Sequence, residues 1–146
     1  MKPLLTPFLV VAALATGCTP SLHSVTKGPW NSKAKIVVAD SGVASPTVWN
    51  GVLRGSVDAR GNVLLTASNG CRLSGIAEPK FDRWAGPLVA TDCSNAAMNA
   101  TYDAVITLEE SRLRLNARSI VMKYHGNVVS ELQSEMDVAP SKAVTL

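Results

Sequence analysis

The sequence predicts an all-β protein: a small antiparallel meander of about eight short strands, curled into a bent sheet or a small β-barrel. Two observations carry this. From Trp49 onward, turn signals recur at the roughly eight-to-twelve-residue spacing of all-β domains. Over residues 102–118 the chain alternates apolar and polar side chains along two arms, and both arms sort onto the same two faces when folded together. No stretch sustains a long helical period. A meander of this kind exposes strand edges, and curling is how such a sheet hides them.

Taken in order, Ile36-Val37-Val38 reads as the first short strand, ended by Asp40-Ser41-Gly42, with residues 44–47 as loop around Pro46. Residues 52–57 and 63–68 flank residues 58–62, which suit a turn closed by Gly61 in the left-handed region. Asn69-Gly70 is a strong hairpin signal and leads into residues 71–75. Residues 76–87 read as a longer loop carrying Phe81 and Trp84, and residues 88–91 return as a strand. Aligned antiparallel, Cys71 falls opposite Cys93 and Leu73 opposite Thr91.

The clearest pair comes next. Folding residues 102–118 about Glu110-Ser111 sets Leu108 opposite Leu113 and Ile106 opposite Leu115, while Glu109 meets Arg112 and Asp103 meets Arg118 on the other face. After Arg118 the apolar phase moves to Ile120, Met122 and Tyr124, which predicts a bulge or bend near Ser119. His125-Gly126-Asn127 turns the chain into residues 128–136. Val128, Leu132 and Met136 fit one helical face, and they also fit a strand with small Ser130 and Ser134 between them. The tight turn directly after a strand favours strand. Residues 140–146 read as a tail.

The N-terminus has a different character. Lys2 precedes a nearly uncharged apolar run over residues 4–15, too short for a membrane span of about 20 residues. A charged start, a short apolar stretch and small residues before a cut site describe a secretory signal. Leu14-Ala15-Thr16-Gly17-Cys18 at its end resembles the lipobox of bacterial lipoproteins, although Ala15 stands where that pattern usually has leucine. An ordinary signal peptide that leaves Cys18 a free thiol is the competing reading. The resemblance covers residues 1–18 and implies a signal peptide over 1–17, diacylglycerol on Cys18, and a periplasm-facing protein. With Thr19 rather than Asp after the cysteine, it implies outer-membrane anchoring in a Gram-negative host. Diacylation supplies the two lipid signals that stable anchoring needs. Residues 18–33 then form a polar tether, with Trp30 marking where it meets a single β domain over 34–139. If Cys18 is acylated, Cys71 and Cys93 remain as an even pair in an oxidising compartment, and a structural disulfide between them follows.

Composition narrows the function classes. The formal charge of +3 falls by one when Lys2 leaves with the signal, too little to argue for nucleic acid. With 47% hydrophobic and 17% charged residues, the body is globular rather than disordered. Acyl-transfer chemistry needs a nucleophile, a base and an orienting group. The two histidines sit in the tether (His23) and at a turn (His125), and no nucleophile elbow, His-Glu-x-x-His run or P-loop occurs. Cys71 and Cys93 lack the companions a zinc site needs, and they do not form the Cys-x-x-Cys of a redox pair. The sequence therefore predicts no enzyme, no metal and no cofactor.

Two surfaces are candidates for binding. One is the loop with Lys80, Phe81, Arg83 and Trp84, since aromatics and arginine make interface hot spots. Against this, Phe81 and Trp84 could fold back to fill the end of the barrel. The other is the stripe Arg112, Arg114 and Arg118, which could meet an acidic partner unless Asp103 and Glu109 balance it. These features point to a non-catalytic, lipid-anchored binding or assembly module. Its partners would be the membrane, through the lipid, and an envelope protein, as in a secretion or conjugation machine. An inhibitor of an exported cell-wall hydrolase is the alternative, resembling lipoprotein lysozyme inhibitors in architecture alone. A carrier of a lipid or small ligand would need a hollow barrel.

Overall fold

Nine strands follow one another in the computed structural model, which describes residues 29–58, 60–109 and 111–137. They are β1 (Pro29–Asp40), β2 (Thr47–Val57), β3 (Asn62–Ala67), β4 (Arg72–Ile76), β5 (Glu78–Lys80), β6 (Arg83–Thr91), β7 (Thr101–Glu109), β8 (Arg112–Lys123) and β9 (Gly126–Asp137). One 3₁₀ turn, Ala96–Met98, interrupts them between β6 and β7. All neighbours pair antiparallel in the order β4-β3-β2-β1-β9-β8-β7-β6, and β4 pairs with β6 to close an eight-stranded barrel. The short ninth strand, β5, extends the β4 side along β6. The expected meander is a closed barrel, and closure removes most of its edges.

Alternation explains the interior. Along β1 the inward positions are Trp30, Ser32, Ala34, Ile36 and Val38, and along β8 they are Leu113, Leu115, Ala117 and Ser119. Leu53, Leu65, Leu73, Leu88 and Ile106 are fully buried between them, each contributing about 1.5–3 kcal/mol relative to exposure. The buried polar groups find partners. The Trp30 indole N–H donates to Ser32 Oγ at 2.8 Å, and the Ser32 and Ser134 hydroxyls bond each other across the β1–β9 seam. The Tyr102 hydroxyl donates to the Met98 carbonyl at 3.0 Å, tying the 3₁₀ turn over one barrel end. Burial pushes the Tyr102 hydroxyl above its ordinary value, partly offset by a hydrogen bond with Ser130.

Four expectations need correction. The tether does not extend to residue 33: β1 begins at Pro29, because Trp30, Ser32 and Ala34 continue the inward row of Ile36 and Val38. Residues 76–87 are not a loop. They hold β5 and the start of β6, a hairpin turning at Phe81-Asp82, and Gly86 lets β6 pass close to the Ile76 carbonyl where a Cβ would collide. No bulge occurs near Ser119, since β8 and β9 stay in one register from Arg112↔Asp137 to Lys123↔Gly126. Finally, β4 meets β6 one residue away from the expected alignment, with Leu73 opposite Ala90 and Arg72 opposite Thr91. Asp92 takes up the offset in the left-handed region (φ 59°), and Cys93 still reaches Cys71.

The Cys71–Cys93 disulfide is present, with Cα atoms 4.0 Å apart and a sequence separation of 22. Closing a loop of that length contributes about 3 kcal/mol on a chain-entropy account. The β7–β8 register is the one expected, including Leu108↔Leu113, Ile106↔Leu115, Glu109↔Arg112 and Asp103↔Arg118. Residues 128–136 lie in strand β9.

The barrel has two unlike rims. Pro29, the β5–β6 turn, the end of β7, the start of β8 and Asp137 share one, here called the terminal rim. The opposite rim carries the end of β1, the β3–β4 turn, the disulfide, the 3₁₀ turn and the β8–β9 turn.

Candidate functional site

The outward row of β8 changes chemistry midway. It reads Arg112, Arg114, Asn116 and Arg118, then Ile120 and Met122, with Tyr124 in the turn beyond. Because the strand does not bulge, the same alternation that sends Leu113 and Leu115 inward sends Ile120 and Met122 out. Met122 and Tyr124 are 82% and 95% exposed, and Ile120 is 54% exposed. The ladder extends this apolar row sideways. Ile120 pairs with Val129 of β9, which pairs with Ala39 of β1, while the next outward β1 residue, Val37, pairs with exposed Val48 of β2. An apolar patch thus crosses four strands on the outer wall near the far rim. Contiguous exposed apolar surface of this kind marks interaction sites.

The backbone beside the patch is also open. Among the described residues β7 pairs with β8 from Asp103↔Arg118 to Glu109↔Arg112, so residues 119–123 have a described ladder partner on the β9 side alone. Such an edge can accept an added strand from another chain. The turn that ends it is held rigidly. Lys123 Nζ meets Asp40 Oδ2 at 3.0 Å, the Ser41 N–H donates to the Asn127 carbonyl at 3.0 Å, and the Asn127 N–H donates to Ser41 Oγ at 2.9 Å. The Gly42 N–H and then Lys123 hold the Asp40 carboxyl below its ordinary value. His125 packs edge-on against the Tyr124 ring, with centroids 4.4 Å apart.

The structure separates the residues that the sequence grouped as an aromatic binding loop. Trp84 points inward and is buried, filling the terminal end of the barrel. Phe81 stands fully exposed at the β5–β6 turn in the left-handed region (φ 47°), between Lys80 and Arg83. Arg83 Nε lies 3.2 Å from Asp82 Oδ1.

The arginine stripe is largely neutralised, though mostly by partners other than those expected. Arg114 Nη1 meets Glu109 at 2.6 Å and its Nε meets Glu135 at 3.0 Å. Arg112 pairs with Asp137 at 3.3 Å, and Arg118 with Glu131 at 3.5 Å. Glu131, Glu135 and Asp137 stand directly across the β8–β9 ladder, whereas Asp103 forms no ion pair among those described. Exposed pairs of this sort contribute about 0–1 kcal/mol each, so their effect is chiefly to cancel charge. An open groove of about 970 Å³ over β2, β1 and β9 is similarly mixed, lined by Lys33, Lys35, Glu135 and Asp137 among others. Among the described residues no group of three His, Cys, Asp or Glu side chains gathers as metal ligands. Cys18 and His23 lie outside the described residues.

Set against known protein families, curated proteins and solved structures, the chain matches none. Geometry alone therefore defines the site. Its signal was present in the sequence: extending the β8 phase set by Leu113, Leu115 and Ala117 without a break puts Ile120, Met122 and Tyr124 outside.

Proposed function

We propose that this protein is a non-catalytic, lipid-anchored module of the bacterial envelope that docks on another envelope protein. The docking surface is the apolar wall of Ile120, Met122 and Val129 with its open β8 edge. The observation that carries the reading is the switch of the outer β8 row from ion-paired arginines to exposed Ile120 and Met122, beside strand backbone that has no second ladder partner among the described residues. The lipobox-like residues 14–18 supply the anchor. The interior is filled by Leu53, Leu65, Leu115 and Tyr102, which supports an outer docking surface over a carrier cavity. An added strand would gain affinity from main-chain hydrogen bonds and specificity from side chains resting on the apolar row.

Crosslinking in native envelopes, followed by capture of the full-length protein, tests this. Wild-type protein should recover a partner. Ile120→Asp with Met122→Asp should lose it by tenfold or more, the size of about 1.4 kcal/mol, while unfolding at the wild-type temperature. Leu64→Asp, on the outer face of β3, should leave recovery unchanged. Undiminished recovery from a folded double variant overturns the docking surface, and an unmodified Cys18 in protein from its own host overturns the anchor.

A further inference from the structure

We infer that the β5–β6 turn rests on the membrane that holds the lipid, with Phe81 in the boundary between headgroups and acyl chains, so that the barrel stands end-on. The inference rests on the lipid-anchored reading above and adds to it an orientation and a second point of membrane contact.

Chain geometry sets the orientation. The chain enters the barrel at Pro29, on the terminal rim, where the Lys80–Arg83 turn also projects. Ten residues separate Cys18 from Pro29, and ten residues span at most about 35 Å even when fully extended. Strand β8 has twelve residues. At about 3.3 Å per residue and a barrel tilt of about 40°, the two rims lie about 30 Å apart. The far rim can touch the same membrane only with the linking chain almost taut along the wall. The terminal rim reaches it with chain to spare.

Phe81 then has a physical role. A bulky aromatic at a left-handed turn position goes against local preference, since glycine or asparagine sits there most easily. Full exposure leaves its ring no contact within the barrel that would compensate. Lys80 and Arg83 flank it, as basic residues flank aromatics at membrane interfaces. Asp58, Asp82 and Glu109 on the same rim offset Arg60, Lys80 and Arg83. The contact should therefore depend on the ring entering the interface and should not require anionic lipid.

The test uses full-length protein carrying diacylglycerol on Cys18, verified by intact mass, in phosphatidylcholine vesicles with and without bromine on the acyl chains. Phe81→Trp and Tyr124→Trp are compared after subtracting wild-type emission, which comes from Trp30, Trp49 and Trp84. The added Phe81→Trp emission should shift to the blue on reconstitution and be lost in brominated vesicles. The added Tyr124→Trp emission should be unchanged by bromine. Unquenched Phe81→Trp emission in lipidated, vesicle-bound protein overturns this inference alone, and so does equal quenching of Tyr124→Trp. Photocrosslinking of residue 81 to a protein in intact envelopes also overturns it. Failure to find the diacylglycerol removes the anchored reading itself.

Discussion

Asp40 serves two neighbours at once, accepting the Gly42 N–H at 3.0 Å and pairing with Lys123 at 3.0 Å. Asp58 does the same in the β2–β3 turn, where it accepts from the side chain and backbone of Asn62 and from the Arg60 N–H. Both carboxyls are held below their ordinary value of 3.8, Asp40 chiefly by Gly42 and Asp58 chiefly by the Asn62 side chain. In each case folding favours the charged form. As acid is added the unfolded chain takes up protons first, so the stabilisation is present above about pH 4 and is lost as pH falls through the lowered folded values. Urea midpoints measured from pH 6 to pH 2.5 should fall at the acid end. Asp40→Asn and Asp58→Asn should each flatten that fall while lowering stability near pH 6.

The strands show which parts of the fold were legible and why. β7 and β8 could be paired from sequence because their faces differ: Leu and Ile on one, Glu, Asp and Arg on the other, so one register alone sorts both. The start of β1 is not legible in the sequence because Ser32 lies on its inward face, and a serine signals solvent unless its partner is known. That partner, Ser134, lies on the last strand. In the sequence the β5–β6 hairpin resembles a loop because Pro79, Asp82, Gly86 and Pro87 are breakers by composition, and only the closing contact with Ile76 explains Gly86. The apolar wall proposed for docking is hidden in the sequence by a related ambiguity. A change of apolar phase after Arg118 fits either a bulge or an apolar outer wall, and the unbroken β9 ladder decides between them. On β6 the inward position of Trp84 makes it structural. Trp84→Ala should cost about 3–5 kcal/mol by calorimetry or urea unfolding. Partner recovery per folded molecule should stay at the wild-type level.

At the level of the whole molecule, seven of the eight barrel seams join strands close in sequence, and the eighth joins the first strand to the last. Ala34 faces Ser134 there, one hundred residues further along the chain. Seams of such separation form late, because the closure entropy must be met before the contacts reward it. Leu132, buried on β9 opposite Ile36, reports on that seam. Stopped-flow kinetics on oxidised protein should show Leu132→Ala speeding unfolding while leaving the folding rate nearly unchanged.

The same seam has a bearing on biogenesis. On the lipid-anchored reading proposed above, a chain exported N-terminus first presents β1, with Ile36, Val37 and Val38 in a row, paired to β2 on one flank and unclaimed on the other until β9 follows. During that interval the β9-facing flank of β1 is a sticky border that the finished barrel no longer has, and if the proposed export holds, a periplasmic holdase would find its client there.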